Sequence, residues 1–298
     1  MTPNAVSMSG RSFTEVSRTN AIRDMVKEFE TAGIPDPAHD ARLLLCAVSG
    51  IEHAELIQYP HVKLAEDATR ALEIAFRRRL LREPVSRILG RRGFWNMDFR
   101  ITPDVLDPRP DSETLIDAAL EALKDRQNEP LRIADLGTGS GALLCALLES
   151  FPHATGMALD VSDRACAVAR SNLDSCGFQG RYTIRCGDWD LVRPGPFDLI
   201  VSNPPYIPTH VISELAPEVR VYDPQIALDG GSDGLEAYRQ IAACAPAAMS
   251  GGGLIAIELG LGQSQKVQEL LRASSLSIIG TRADLGDITR VILARLED

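Results

Sequence analysis

The chain has 298 residues, of which 45% are hydrophobic, and it carries a formal net charge of −10 at pH 7 with a pI near 5.1. This length allows one large domain or two of ordinary size. The acidic balance argues against broad, sequence-independent binding to nucleic acid, because such binding depends on Lys and Arg neutralising phosphates. The sequence therefore predicts no stable nucleic-acid binding.

Cysteines, histidines and apolar runs narrow the class of protein further. The six cysteines form no Cys-x-x-Cys pair and the five histidines show no metal-ligand spacing, which predicts free thiols in a reducing compartment and no metal. The first twenty residues lack an apolar core, which predicts no signal peptide. No stretch approaches the roughly eighteen uninterrupted apolar residues of a membrane span. Together these observations predict a cytoplasmic protein.

The first part of the chain has the apolar spacing of helices. Apolar side chains within residues 22–29 recur at i, i+3, i+4 and i+7, which predicts an amphipathic helix that ends near Gly33. Further helices are predicted from Pro37 to Gly50, around Ala54–Tyr59 and over Ala65–Leu81. The short connections between these helices predict an all-α helical bundle over residues 1–85.

The pattern changes after the bundle. Ile88-Leu89-Gly90, and the stretch from Phe94-Trp95 to Ile101-Thr102, predict a hairpin or extended linker over residues 86–107. Asp107-Pro108-Arg109-Pro110 then gives a stiff, extended entry into a helix that contains Leu115. A third segment, residues 108–298, begins there.

Strands and helices alternate through this third segment. The predicted strands are Leu131–Asp135, Thr155–Asp160, Tyr182–Cys186, Phe197–Ser202, Gly253–Glu258, Ser277–Gly280 and Arg290–Leu296. The helices predicted between them are Ala142–Ser150, Ala165–Cys176, Gly234–Met249 and Gln263–Ala273. Such alternation predicts an α/β fold with a doubly wound parallel sheet and right-handed crossovers.

A glycine-rich loop joins the first strand of this sheet to the helix after it. Its sequence is Asp135-Leu136-Gly137-Thr138-Gly139-Ser140-Gly141. The glycines permit positive φ and let the backbone approach a ligand closely. Asp160, which closes the next strand, is suited to accept hydrogen bonds from ribose hydroxyls. Because the Asp135 carboxylate disfavours a pyrophosphate, the loop suits the cationic amino-acid moiety of S-adenosylmethionine. The alternative is a glycine turn that serves only strand–helix packing.

Asp188 and Trp189 follow the third strand of the sheet. Asp188 is suited to accept a hydrogen bond from an adenine amino group, and Trp189 is suited to cover the ring. Stacking of this kind contributes ~1–3 kcal/mol per base in base-binding proteins. An ordinary core or surface indole is the alternative for Trp189.

The tetrapeptide Asn203-Pro204-Pro205-Tyr206 directly follows the apolar strand Phe197–Ser202. Two prolines end the strand, and the chain leaves the carboxyl edge of the sheet, where open α/β folds bind ligands. There it offers a side-chain amide, main-chain carbonyls and an aromatic ring, which together suit a planar amino group. The alternative is a rigid strand-ending turn.

These residues resemble the PrmC/HemK family of release-factor glutamine N5-methyltransferases. The resemblance includes Glu83-Pro84-Val85, Ile88-Leu89-Gly90, Phe94-Trp95, Arg109-Pro110, Glu113-Thr114, the glycine loop, the tetrapeptide and Gly230-Gly231-Ser232-Asp233-Gly234-Leu235. It implies a Rossmann-like class I methyltransferase domain and S-adenosyl-L-methionine as cofactor. It also implies methylation of the side-chain amide of the glutamine in the Gly-Gly-Gln motif of class 1 peptide chain release factors.

The resemblance carries roles to individual positions. By the resemblance, residues Gly137 to Gly141, Asp160 and Trp189 are expected to bind the cofactor. The chemistry of the glycine loop and of the segment after the third strand adds Asp135 and Asp188 to this set. Asn203 is expected to contact both cofactor and substrate, while Pro204, Pro205 and Tyr206 complete the glutamine pocket. Two positions depart from the family pattern: Asp107 stands where an apolar residue is usual, and Asp111-Ser112-Glu113 replaces Glu-Thr-Glu.

No histidine or lysine is an obvious base for an amide nitrogen, so the expected mechanism is positioning. The Asn203 side-chain oxygen and the Pro204 carbonyl are expected to accept the two N–H groups of the substrate amide. Tyr206 is expected to pack on the amide plane. Orientation of this kind contributes up to ~7–11 kcal/mol in well-aligned systems.

Other functions remain open at this point. Asn-Pro-Pro-Tyr also occurs in enzymes that methylate the exocyclic amines of nucleic acids, at N6 of adenine or N2 of guanine, and a flipped base needs a basic cleft. A glutamine methyltransferase acting on a ribosomal protein is a close neighbour. A binding module that keeps the fold without catalysis is a third alternative.

Arginines crowd the junction between the bundle and the linker. They are Arg70, Arg77, Arg78, Arg79, Arg82, Arg87, Arg91 and Arg92. One hypothesis is a face on the bundle that docks an acidic release factor and orients its encounter. The other is a solvated helix whose last turn complements the helix dipole.

Overall fold

The computed structural model describes residues 12–193 and 195–296. The chain divides into two compact units, with the boundary between Leu89 and Gly90. The predicted lack of a signal peptide concerns residues 1–20, of which residues 1–11 lie outside the described residues. Within the two described ranges, no helix is both long enough and apolar enough to cross a membrane.

The first unit is built from helices. They are α1 (Arg18–Thr31), α2 (Pro37–Ser49), α3 (His53–Gln58), α4 (Glu66–Leu80) and α5 (Val85–Leu89). The α2 helix begins where the Asp36 side chain accepts a hydrogen bond from the His39 amide, and it ends at Gly50 in the left-handed conformation. Phe29, Leu72 and other buried side chains of α1, α2 and α4 form its core. The predicted helical bundle is confirmed.

The α5 helix corrects one prediction. Ile88 and Leu89 were expected in a hairpin or extended linker, but they form the last turn of α5. The Pro84 carbonyl accepts the amides of Arg87 and Ile88, and Val85, Ile88 and Leu89 pack against the helical core. Their i, i+3, i+4 spacing is helical, so packing of an apolar stripe decides the local structure.

The second unit contains a hairpin and a seven-stranded sheet. Strands β1 (Arg91–Phe94) and β2 (Met97–Arg100) pair antiparallel, which confirms a hairpin at these residues. The remaining strands are β3 (Arg132–Leu136), β4 (Thr155–Asp160), β5 (Tyr182–Cys186), β6 (Phe197–Ser202), β7 (Met249–Glu258), β8 (Leu276–Ala283) and β9 (Thr289–Leu296). The helices are α6 (Glu113–Ala122), α7 (Ala142–Ser150), α8 (Asp163–Ser175), α9 (Pro217–Arg220), α10 (Glu236–Cys244) and α11 (Ser264–Ala273).

The sheet has the order β5-β4-β3-β6-β7-β9-β8. Side chains of α6, α7 and α8 contribute to the core on one face, and those of α10 and α11 to the core on the other. The predicted doubly wound α/β architecture of a class I methyltransferase is therefore confirmed. Strands β3 to β7 run parallel, but β9 runs antiparallel to β7 and β8, so the sheet is mixed.

The reversal of β9 has a simple cause. Only residues 284–288 separate β8 from β9. A parallel crossover needs about a dozen residues or more, whereas an antiparallel pair can be joined by a short turn. The prediction of a wholly parallel sheet was wrong at this strand.

Candidate active site

The glycine loop and the tetrapeptide leave neighbouring strands at the same edge of the sheet. β3 and β6 pair in parallel with Leu136 opposite Ser202. The buried Ser202 hydroxyl donates a hydrogen bond to the Leu136 carbonyl at 2.6 Å, which ties the two strand ends together. The strand order reverses between β3 and β6, and ligands of open α/β sheets bind at such a switch point.

A cavity of about 690 Å³ opens at this point. This volume lies in the range of roughly 300–1,000 Å³ that is usual for small-molecule sites. The predicted site residues that line it are Gly137, Thr138, Gly139, Ser140, Asp160, Asp188, Trp189, Asn203 and Pro205. The other predicted site residues, Asp135, Gly141, Pro204 and Tyr206, are not part of its wall. The structure thus brings segments from four strand ends into one cavity.

Gly137 and Gly141 lack a side chain for two different structural reasons. Gly137 has φ +75°, and a Cβ there would lie 3.2 Å from a ring carbon of Trp189. Its lack of a side chain therefore lets the half-buried indole lie against the loop. Gly141 has φ +82°, and a Cβ there would meet the Ala169 backbone at 3.3 Å. Gly141 therefore allows α7 to pack closely on α8, as the alternative interpretation of a packing glycine proposed.

Asp160 fastens the glycine loop to the end of β4. Its Oδ2 accepts the Gly139 amide at 2.9 Å, and its Oδ1 accepts the Ser162 amide at 2.9 Å. Burial raises the pKa of Asp160 from its ordinary value, and these backbone hydrogen bonds oppose the rise. Each carboxylate oxygen has a second lone pair, so Asp160 can also accept hydrogen bonds from a ligand in the cavity.

Asp135 lies fully buried beneath the loop. Its Oδ2 accepts the Thr138 hydroxyl at 2.7 Å, whereas its Oδ1 has no hydrogen-bond partner among the residues that the structure describes. Burial raises the pKa of Asp135 to about 7, and the Asp160 charge adds to the rise, although the Thr138 hydroxyl and the nearby Leu144 backbone amide oppose it. A buried carboxylate with an unsatisfied oxygen is costly, and a nearby cation would compensate for it.

The tetrapeptide is held by a hydrogen-bond chain to β7. Asn203 Nδ2 donates to Ser112 Oγ at 3.1 Å, and Ser112 Oγ donates to Glu258 Oε2 at 2.5 Å. The Tyr206 hydroxyl donates to Glu258 Oε1 at 3.5 Å. Burial, followed by the Glu258 charge, raises the pKa of Tyr206 to about 12, so this hydroxyl keeps its proton. Ser112 and Glu258 are both buried.

A second glycine segment crosses the tetrapeptide at close range. A Cβ on Gly230 would lie 2.9 Å from the Pro205 carbonyl oxygen, and one on Gly234 would lie 2.5 Å from the Tyr206 carbonyl oxygen. The Gln263 side-chain amide donates to the same Tyr206 oxygen at 2.9 Å. Residues 230–234 therefore fix the path of the tetrapeptide by direct backbone packing.

Ser112, Glu258 and Arg109 were absent from the sequence-based set of site residues. Ser112 and Arg109 line the cavity, and the Arg109 guanidinium donates to the buried Asp223 carboxylate at 2.5 Å. A signal for Glu258 existed, because an acidic residue ends an otherwise apolar strand at the carboxyl edge of the sheet. No group of three or more His, Cys, Asp or Glu residues in the described ranges could hold a metal ion.

Several arginines of the cluster form hydrogen bonds within the first unit. Arg78 donates to Glu83 at 2.7 and 2.6 Å, and the buried Arg79 donates to Asp40 at 2.7 Å. Arg82 donates to the carbonyls of Ala32 and Gly33, which directly follow α1. These three arginines therefore have structural roles, and docking by the cluster stays a prediction.

Comparisons with known proteins agree with this geometry. The PrmC N-terminal domain matches residues 20–90, and the methyltransferase small domain matches residues 111–218. The release factor glutamine methyltransferase of Rhodospirillum rubrum is 45% identical over 266 residues, which cover 89% of this chain and 81% of that protein. The chain belongs to the release factor glutamine methyltransferase family. The predicted family is confirmed.

Further relatives support the membership and the fold. The release factor glutamine methyltransferase of Caulobacter vibrioides is 41% identical over 281 residues, covering 94% of this chain and 96% of that protein. The solved catalytic domain of hMettl16, in complex with the MAT2A 3'UTR hairpin 6, matches with a TM-score of 0.52 at 15% identity. That match covers 67% of this chain and 76% of the other, and it concerns the fold alone.

Proposed function

We propose that this protein transfers a methyl group from S-adenosyl-L-methionine to a glutamine side-chain amide in class 1 peptide chain release factors. The acceptor is the glutamine of the Gly-Gly-Gln motif. The observation that carries the proposal is the meeting of the glycine loop and Asn203 in one cavity at the switch point of the sheet. Membership of the release factor glutamine methyltransferase family supports it.

The residues around the cavity fit S-adenosyl-L-methionine. The Trp189 ring, which lies against Gly137 and lines the cavity, suits stacking on a flat base, and the Asp160 carboxylate suits ribose hydroxyls. The unsatisfied oxygen of Asp135 suits a cationic group near the loop. The proposed cofactor-binding residues are Asp135, Gly137, Thr138, Gly139, Ser140, Gly141, Asp160, Asp188, Trp189 and Asn203. When bound, the cofactor supplies an electrophilic methyl group on a sulfonium centre.

Asn203 and Pro204 are proposed to orient the substrate amide. Because Asn203 Nδ2 already donates to Ser112, its Oδ1 is left to accept an N–H of the substrate. Proline has no N–H, so the Pro204 carbonyl presents an acceptor with no donor of its own beside it. Together they hold the nitrogen lone pair toward the cofactor, and alignment can contribute up to ~7–11 kcal/mol. Pro205 and Tyr206 complete the proposed pocket.

The other functions have less support. The curated relatives carry the name release factor glutamine methyltransferase, which favours a release factor over a flipped base or a ribosomal protein as substrate. The net charge of −10 also disfavours a nucleic-acid substrate. The helical unit is proposed to dock the factor.

A labelled-methyl assay tests the proposal. The purified protein is incubated with methyl-labelled S-adenosyl-L-methionine and one of four acceptors: a class 1 release factor, the same factor with the Gly-Gly-Gln glutamine replaced, RNA, or DNA. We expect label only in the unchanged factor. Label in RNA or DNA would instead support exocyclic-amine methylation. Absence of binding heat on titration with the cofactor would support a non-catalytic module.

A further inference from the structure

We infer that Ser112 and Glu258 are positioning residues that set which end of the Asn203 side-chain amide faces the substrate. The inference rests on the proposed function, since it concerns the same cavity. Asn203 and Ser112 line that cavity, and the Glu258 carboxyl lies behind them, 2% exposed. Glu258 therefore acts on the reaction through Ser112 rather than by touching the substrate.

The direction of each hydrogen bond from Asn203 through Ser112 to Glu258 follows from counting protons. Ser112 Oγ lies 2.5 Å from Glu258 Oε2 and 3.1 Å from Asn203 Nδ2. A serine hydroxyl has one proton, and an ionised carboxylate can only accept. Ser112 must therefore donate to Glu258 and accept from Asn203, and only the NH₂ end of the Asn203 amide can donate. The oxygen end is left for the substrate.

A neutral Glu258 would remove this constraint. A proton on Oε2 lets Glu258 donate to Ser112, and the serine proton is then available for Asn203. The Asn203 amide can in that case rotate and accept with Oδ1, which turns its NH₂ group toward the substrate. Two donors would then face each other, because the substrate amide also presents N–H groups. The negative charge on Glu258 excludes this wrong orientation.

Groups from several elements face the Glu258 carboxyl. Tyr206, a residue that follows β6, donates its hydroxyl proton to this carboxyl. Tyr238 of α10 lies nearby and donates instead to the Glu258 backbone carbonyl at 3.0 Å. Arg290 of β9 lies close enough to favour its charge, whereas Asp111 opposes it. Burial raises the pKa of Glu258 to about 7, with the Ser112 hydrogen bond and Arg290 opposing the rise.

The sign of the pH effect follows from this raised pKa. Glu258 loses its charge as the pH falls through about 7. We therefore expect the kcat for release-factor methylation to fall over this range in the wild-type protein. The Glu258→Gln variant, which cannot ionise, should lose this part of the pH profile and have a lower kcat at pH 8.

A double-mutant cycle tests this hydrogen-bond relay, in which Glu258 acts on Asn203 through Ser112. Ser112→Ala is expected to lower kcat ~10–100-fold, as small misplacements of reacting groups do, while KM for the factor changes little. Ser112→Thr keeps the hydroxyl and should restore activity. In an Asn203→Ala background, Ser112→Ala should have no further effect, because the side chain that it orients is gone. Glu121→Gln, an exposed carboxylate on α6, is the matched control with unchanged kcat.

A spectroscopic readout is independent of activity. The side-chain NH₂ signals of Asn203 are identified in ¹⁵N-labelled protein by their absence from Asn203→Ala. We expect them to shift with pH in the wild-type protein and to lose this shift in Ser112→Ala. If the wild-type protein methylates no release factor, the proposed function is refuted, and the inference about Ser112 and Glu258 is then decided by the Asn203 signals. Unchanged kcat in Ser112→Ala, or Asn203 signals that do not respond to pH in wild type, would overturn the relay.

Discussion

Replacing Asp135 with asparagine is predicted to stabilise the unliganded protein at high pH. Asp135 is fully buried, and burial raises its pKa from an ordinary 3.8 to about 7. The folded state therefore holds a proton between these two pH values that the unfolded state has released. Stability falls as the pH rises from 3.8 to about 7, because folding over this range requires uptake of a proton, and above about 7 it requires burial of the charged carboxylate.

The size of the effect follows from the same pKa values. One pKa unit corresponds to about 1.4 kcal/mol, so the rise from 3.8 to about 7 gives an upper limit of about 4 kcal/mol. The asparagine side chain of the Asp135→Asn variant keeps an oxygen that can accept the Thr138 hydroxyl, so this neutral variant does not carry the cost of a buried charge. Asp135→Asn should therefore match the wild-type stability near pH 4 and exceed it at pH 8.

Urea unfolding followed by tryptophan fluorescence is the assay. Trp95 and Trp189 are the only two tryptophans and both lie in the second unit, so the signal reports the unit that contains Asp135. Asp117→Asn, an exposed residue on α6, serves as control. Titration with S-adenosyl-L-methionine should show weaker binding by Asp135→Asn. An equal stability difference at pH 4 and pH 8 would refute the reasoning.

Three further predictions concern the loop, the tetrapeptide and the bundle. Asn203→Ala should lower methyl transfer ~10²–10³-fold, as loss of one oriented polar group does elsewhere, and should largely retain cofactor binding, measured by calorimetry, because the other cofactor contacts remain. Gly137→Ala should lower the free energy of unfolding by more than Gly139→Ala. Both variants carry the ~1–3 kcal/mol cost of an alanine at positive φ, but only the Cβ of Gly137→Ala meets the Trp189 ring. Equal losses of stability in the two variants would contradict this. Arg78→Glu should lower the helical unfolding midpoint measured by circular dichroism, whereas the exposed Arg77→Glu should not, and slower methylation of intact factor by Arg77→Glu would support docking.

Local patterns predicted most of the fold. The alternation of apolar strands and helices, the glycine loop and the two prolines after β6 are all encoded within short windows of sequence. The family resemblance also predicted that Gly137, Asp160 and Asn203 all contact the cofactor, and each of them lines the cavity at the common edge of the parallel strands. The α5 helix and the reversed β9 were missed although their signals, an apolar stripe and a short turn, were present.

Local sequence patterns could not predict the hydrogen-bond chain from Asn203 through Ser112 to Glu258. Ser112 and Glu258 are 146 positions apart in sequence, and Ser112 and Asn203 are 91 apart. Their contact depends on β7 lying beside β6 and on the path of the segment before α6, which no local pattern specifies. A serine that replaces a more usual threonine looked like a departure from the family, yet it keeps the hydroxyl that this chain of contacts requires.

The strand order makes assembly of the sheet depend on its last member. β9 is inserted between β7 and β8, although β8 precedes it in the chain. Until β9 docks, the outer edge of the apolar strand β7 has no neighbour, and unpaired apolar edges recruit other chains. A version of the protein that stops before Thr289 is thus expected to aggregate rather than to form a smaller working enzyme.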